Sequence, residues 1–183
     1  MDFFSQYFQI MTDAVGQFDS KLLQQAKNLI LQKKAEGKKV IIVGNGGSAA
    51  MASHVSVDLT KVGGVRAINF NEADLLTCFA NDFGYENWVT KALEYYSDPG
   101  DLVILISSSG KSPNMTKAAE AAKKMKLALI TFSGFSPDNP LRKLGDINFW
   151  VDSKGYNIVE MTHHIWLLAL VDAIVGKTEY AAN

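Results

Sequence analysis

The sequence predicts an α/β fold in which a parallel sheet lies between helices, with a helical pair in front of it. Three observations carry that reading. Four short runs rich in Val and Ile, at residues 39–43, 102–106, 127–132 and 147–151, lack clean polar alternation. Helical patterns separate them, as expected of strands buried on both faces. Two of the runs end directly in glycine- and serine-rich loops, at residues 44–49 and 107–112.

Taken in order, residues 2–15 read as a helix with a broad apolar stripe of Phe3, Phe4, Tyr7, Phe8, Ile10, Met11 and Val15. So many apolar positions on one short helix predict packing on two sides, hence an oligomer in which N-terminal helices bundle. A second helix is predicted over 20–36, with Ser20 as its N-cap and Gly37 at its end. The strand at 39–43 leads through the first loop into a helix over 49–61. A weaker fifth strand is predicted at 65–70. Trp88, Tyr95 and Tyr96 recur at roughly helical spacing and read as core or subunit contact. Asp98-Pro99-Gly100-Asp101 is a turn into the strand at 102–106. The last helix, over 156–175, is apolar on most sides through Ile165, Trp166, Leu167, Leu168, Leu170 and Val171, so it is buried or lies at a subunit contact.

Bulk properties narrow the function. The chain has 183 residues, 48% hydrophobic and 20% charged, which suits one globular domain with a full core. A net charge of −1 supplies no basic field for nucleic acid. The single cysteine, Cys78, excludes an intramolecular disulfide and a multi-cysteine zinc site. No apolar run approaches a membrane span, and no basic segment followed by an apolar stretch marks a signal peptide. A cytoplasmic protein without membrane or nucleic-acid partners is expected.

The chemistry concentrates in the loops. Ser107, Ser108, Ser109 and Ser112 lie within six residues around Gly110, between a strand and a helix start. Hydroxyls, a close backbone approach at glycine and the free N–H groups of a helix N-terminus together make an anion site. One helix cap needs only one serine, so the cluster points to phosphate. Lys111 either adds charge to that site or faces solvent. The earlier loop, Gly44-Asn45-Gly46-Gly47-Ser48-Ala49, places Ser48 as the cap of the following helix. It lacks the third glycine of the dinucleotide fingerprint and the Gly-Lys-Ser/Thr of a Walker loop. Its pairing with the second loop is the stronger signal, since ligands in open α/β sheets sit beyond the strand C-termini between two such loops.

Gly44-Asn45-Gly46-Gly47-Ser48, Ile106-Ser107-Ser108-Ser109-Gly110-Lys111-Ser112-Pro113-Asn114 and Asn81-Asp82-Phe83-Gly84 together resemble the sugar isomerase (SIS) domain, most closely the phosphoheptose isomerase branch. The resemblance spans nearly the whole chain. It implies a flavodoxin-like three-layer αβα sandwich, one SIS domain over 1–183 with the helical pair at 1–36 serving oligomerisation, and a homotetramer with shared active sites. It implies interconversion of sedoheptulose 7-phosphate with a heptose 7-phosphate. Ser48, Ser107, Ser108, Ser109 and Ser112, with Gly46 and Gly47, would hold the sugar phosphate. Asn45 and Asp82 would contact sugar hydroxyls.

Aldose–ketose isomerisation moves a proton between adjacent carbons through an enediol, and so needs acid/base groups beside the carbonyl. His54 and Asp58 lie four apart, on one face of the helix after the first loop. The resemblance implies histidine and glutamate there; Asp58 is one methylene shorter, which shortens its reach. The bland alternative is an ordinary i,i+4 hydrogen-bonded pair. On the last helix Glu160 matches the family's glutamate, whereas Val159, Leu167 and Tyr156 replace its glutamine, distal histidine and aspartate. His163 and His164 lie nearby at another register and are read either as acid/base groups or as structural histidines. The catalytic candidates are thus Asp58, Glu160, His54, His163 and His164. Zinc, which the resemblance implies, takes three or four N, O or S ligands. His54 and Asp58 are the candidates, with His163 or His164 as a further one, and the set is short, so no metal and no other cofactor is expected. The lost polar positions leave two alternatives to the isomerase: a phosphosugar-binding protein without turnover, and an isomerase for a different sugar phosphate.

Overall fold

The computed structural model describes residues 2–180, and the expected arrangement is present. Its elements are α1 (Phe3–Val15), α2 (Ser20–Ala35), β1 (Val40–Gly44), α3 (Gly47–Lys61), β2 (Ala67–Ile68), α4 (Ala73–Phe83), α5 (Trp88–Tyr96), β3 (Leu102–Ser107), α6 (Pro113–Lys124), β4 (Ala128–Gly134), β5 (Ile147–Val151) and α7 (Tyr156–Val175). A 3₁₀ turn at Leu141–Lys143 precedes β5. All five strands are parallel, in the order β2-β1-β3-β4-β5. The chain moves outward from β1 to β2, then returns to place β3 on the other side of β1. The topological switch point therefore lies between β1 and β3, where the two glycine- and serine-rich loops emerge.

The sheet is apolar on both faces, which is why its strands read as continuous runs. Val40, Ile42, Leu102, Ile104, Ile106, Ile130, Phe132 and Phe149 belong to one core with buried side chains of α1, α2, α3 and α7. The intervening Ile41, Val43, Val103, Leu105 and Leu129 belong to the other, closed by α5 and α6. Alternation is thus present, but both sets are buried.

Several expectations shift locally. Asp19, not Ser20, caps α2: its carboxylate accepts the N–H of Lys21 at 2.8 Å and of Leu22 at 3.2 Å. Asp2 caps α1 in the same way. β2 is reduced to two residues at the sheet edge because Asn69 turns away, donating to Ser56 Oγ and accepting the N–H of Asn71. A short edge strand also resists pairing with a foreign strand.

α7, contrary to the expectation that no apolar run approaches a span, is long and apolar enough to cross a membrane by length and composition. It packs against the sheet instead, burying Val159, Trp166, Leu167, Leu170 and Val171. A helix covered on two sides loses its polar stripe for the same reason as a lipid-facing one. α1 lies against α7, and Trp166 Nε1 donates to the Val15 carbonyl at 3.0 Å. Its other flank is open, with Phe3, Phe4 and Phe8 exposed by 71%, 69% and 64%.

Candidate functional site

β3 is buried throughout and delivers Ser107 at its tip. The chain then turns tightly, the Gly110 N–H donating to the Ser107 carbonyl at 2.9 Å. Gly110 has φ of +63°, and a Cβ there would collide with the amide of Asn139. Glycine is therefore required on two counts. Ser112, extended, caps α6 with Pro113 at the first helical position, and its carbonyl accepts from Met115 and Thr116. Ser107 Oγ and Ser112 Oγ sit 3.1 Å apart, while Ser109 Oγ accepts the Lys111 N–H at 3.2 Å. Lys111 itself is exposed, which selects the solvent-facing alternative.

The loop is braced by contacts that the sequence reading missed. Buried Asn139 donates to Ser133 Oγ at 3.1 Å and to the Gly134 carbonyl at 3.2 Å. The Gly134 N–H in turn holds the Ser108 carbonyl at 2.9 Å. Asn45 and Asn114 exchange a reciprocal pair of amide hydrogen bonds, 3.0 and 2.8 Å, that ties the two loops together. Tyr85 also donates to Asn45 Oδ1 at 3.3 Å. Nothing in the spacing of these residues announces contacts across 69 and 40 positions.

In the first loop Gly46, not Ser48, occupies the cap position of α3. Ser48 already lies in the first turn, and its N–H donates to the Asn45 carbonyl at 3.0 Å. The Glu160 carboxylate rests on this turn, such that a Cβ on Gly47 would collide with it. Glu160 also accepts from Ser108 Oγ at 3.4 Å. A cleft of roughly 330 Å³, including its open mouth, is lined by Asn45, Ser48, the serines 107–109 and 112, Tyr156 and Glu160. The two loops therefore face one space as expected. At the α3 end, however, a side-chain carboxylate already meets the positive helix terminus, whereas the first turn of α6 carries no acidic side chain.

Asp82 is not brought into this cleft. It is exposed on α4, accepts from Asn81 at 2.8 Å, and its charge raises the thiol pKa of Cys78. Val159 and Leu167 point into the core between the sheet and its helices. His163 is buried beside Phe132 and Trp166, 3.0 Å from the Ser133 carbonyl. A carbonyl only accepts, so Nε2 carries the proton and Nδ1 is left as a buried acceptor without a partner among the described residues. Burial pushes its pKa down to about 4. Its geometry is that of a core histidine, away from the cleft.

His54 and Asp58 do pair as their spacing predicts, with Nε2 to Oδ2 at 3.1 Å. His164 joins them from α7: its Nε2 lies 3.0 Å from His54 Nδ1, with the rings edge to face. Burial, then the neighbouring His54, lowers the His164 pKa against an opposing pull from Asp58. The three groups form a line in which both ring nitrogens of His54 are already engaged. Among the described residues no three His, Cys, Asp or Glu side chains converge on a point where a cation could sit. The zinc implied by resemblance does not fit this donor set, which lacks a common centre and has Val159 and Leu167 where further ligands would stand.

Residues 2–134 match the model of the SIS domain family. A phosphoheptose isomerase of Buchnera aphidicola is 33% identical over 160 residues, which covers 85% of this chain and 82% of that one. The structure of a phosphoheptose isomerase from Neisseria gonorrhoeae superposes with a TM-score of 0.84 at 25% identity, over 93% of this chain and 94% of that one. A phosphoheptose isomerase structure from Francisella tularensis gives a TM-score of 0.86 over 95% and 98%, at 23% identity. The chain is similar to all three across nearly its full length.

Proposed function

Because the chain belongs to the SIS domain family, among relatives that are phosphoheptose isomerases, we propose that it interconverts the aldose and ketose forms of a phosphorylated sugar, sedoheptulose 7-phosphate being the first substrate to test. The observation that carries this reading is the cleft at the sheet switch point, where the hydroxyls of Ser107, Ser108, Ser109 and Ser112 and the N-terminus of α6 surround one space with Glu160 at its side. The serine loop holds the phosphate, and Ser48 completes the cradle from the α3 side. Acid/base work falls to Glu160 and to the Asp58–His54–His164 cluster. No resident metal takes part, a reading supported by the linear donor arrangement.

The exposed aromatic flank of α1 supports a homo-oligomer, a homotetramer by resemblance, with a second copy covering Phe3, Phe4 and Phe8. A cytoplasmic location suits a charged sugar phosphate and the exposed free thiol of Cys78.

Turnover of sedoheptulose 7-phosphate by protein purified without chelator tests the assignment. Ser107→Ala with Ser112→Ala is expected to raise KM roughly 10-fold or more, since each removes a hydrogen bond to a charged group. Zinc should be well below stoichiometric. The buried Val159 and Leu167 favour one second reading, a phosphosugar-binding protein without turnover. Tight binding of the sugar phosphate with no product formed would select it.

A further inference from the structure

Asp58, His54 and His164 make a directed chain of hydrogen bonds, and its direction is fixed by chemistry. A carboxylate only accepts, so the His54 nitrogen facing Asp58, Nε2 at 3.1 Å, carries a proton. In the neutral ring Nδ1 is then an acceptor, and the contact at 3.0 Å requires His164 Nε2 to donate to it. His164 Nδ1 is left as a lone pair, with no partner among the described residues.

The position of His164 follows from helix geometry. Glu160 lines the cleft, and His164 is four residues later on α7, one turn away on the same face, about 6 Å along the axis. His54 lies seven residues beyond Gly47, about 10 Å along α3, and Asp58 is a further turn away. Ordered outward from the phosphate cradle the groups run Glu160, His164, His54, Asp58.

From this geometry, and resting on the isomerase reading above, we infer that His164 is the catalytic base of the reaction and that His54 and Asp58 are positioning residues acting through it. With phosphate in the serine loop, the open-chain sugar passes Glu160 and presents its carbonyl end to His164. His164 Nδ1 takes the proton from the hydroxyl-bearing carbon beside the aldehyde. That C–H electron pair becomes the C=C bond of the enediolate, and the carbonyl π pair moves onto oxygen. The neighbouring hydroxyl proton crosses to that oxygen within the enediolate. The imidazolium of His164 then returns its proton to the former aldehyde carbon as the second oxygen becomes the carbonyl. Protons and electrons balance with no metal and no external oxidant. Asp58, through His54, fixes the His164 tautomer and stabilises the imidazolium while it exists.

The test combines turnover of sedoheptulose 7-phosphate, deuterium incorporation into the sugar in heavy water, and the thermal shift caused by inorganic phosphate. His164→Gln should lower kcat about 100-fold or more, with deuterium incorporation falling in parallel. KM and the phosphate shift should stay within about twofold of wild type, because the cradle is untouched. Asp58→Asn should lower kcat about 10-fold with KM unchanged and with the melting temperature and phosphate shift retained, which a loss of folded protein would not leave. His164→Asn is the second variant if the first does not fold. Wild-type kcat and exchange in His164→Gln would overturn the inference while leaving the isomerase reading intact. Exchange without net isomerisation, abolished in His164→Gln, would keep the base and discard the isomerase. Wild-type protein that neither isomerises nor exchanges would discard both, and stoichiometric zinc lost on His54→Gln would also overturn the relay.

Discussion

At Gly47 a hydrogen atom in place of a methyl group lets the Glu160 carboxylate rest on the first turn of α3. That contact sets the chemistry of the cleft, because it places a carboxylate beside the serine loop. His163 and His164 show how differently adjacent residues fare on one helix. His164 faces His54 and stays half-exposed, while His163 points into the core. The buried ring has a measurable consequence. Its pKa of about 4 lies below the ordinary value near 6.5, so between those limits the unfolded chain binds one proton more than the folded one. Stability therefore falls as pH drops from about 6.5 through 4, by up to about 3 kcal/mol from this group alone. Urea unfolding of His163→Gln should show that slope flattened; an unchanged slope would refute the assignment. The serine cluster was legible residue by residue because its chemistry is local. The burial of His163 was not, since neighbouring histidines on an apolar helix differ only in what packs over them.

Among the elements, β1 and β3 start together because Lys39 is clamped between two aspartates. Its Nζ lies 2.6 Å from buried Asp101 and 2.5 Å from Asp98. Asp101 also accepts the N–H groups of Lys39 and Asp98. Burial alone would lower the lysine pKa, but hydrogen bonds to Asp101 and Asp98 outweigh it and the net shift is upward. Asp101→Asn is expected to cost about 2 kcal/mol, because it removes the buried one of the two carboxylates on Lys39 and leaves the exposed Asp98 alone. A loss below about 1 kcal/mol in urea unfolding would contradict this. The strands themselves were readable as apolar runs, and β5 and α7 fall on their predicted bounds. β2 shrank and Asp19 displaced Ser20 because an edge and a cap depend on single hydrogen bonds, which composition does not register.

For the whole molecule, the unpartnered flank of α1 is the feature the isolated chain leaves unresolved energetically. Phe3, Phe4 and Phe8 project from a helix whose opposite side is sealed to α7. Sedimentation should give an oligomer, and changing all three to Ser should shift it toward smaller species at equal concentration. A dilute monomer from the wild type would sink the idea. The sequence by itself determined the α/β class, the parallel strands and the serine-rich turn that opens α6 after β3, because buried strands and helix termini leave local signatures. Only the tertiary structure decided that Asn114 and Tyr85 hold Asn45, that Asp82 stays outside the cleft, and that Asp58, His54 and His164 stand in line. Those relations join α3 to α7 and loop to loop across 40 to 110 positions of chain. Distances between residues so far apart are set by how helices pack on the sheet, which no local pattern encodes.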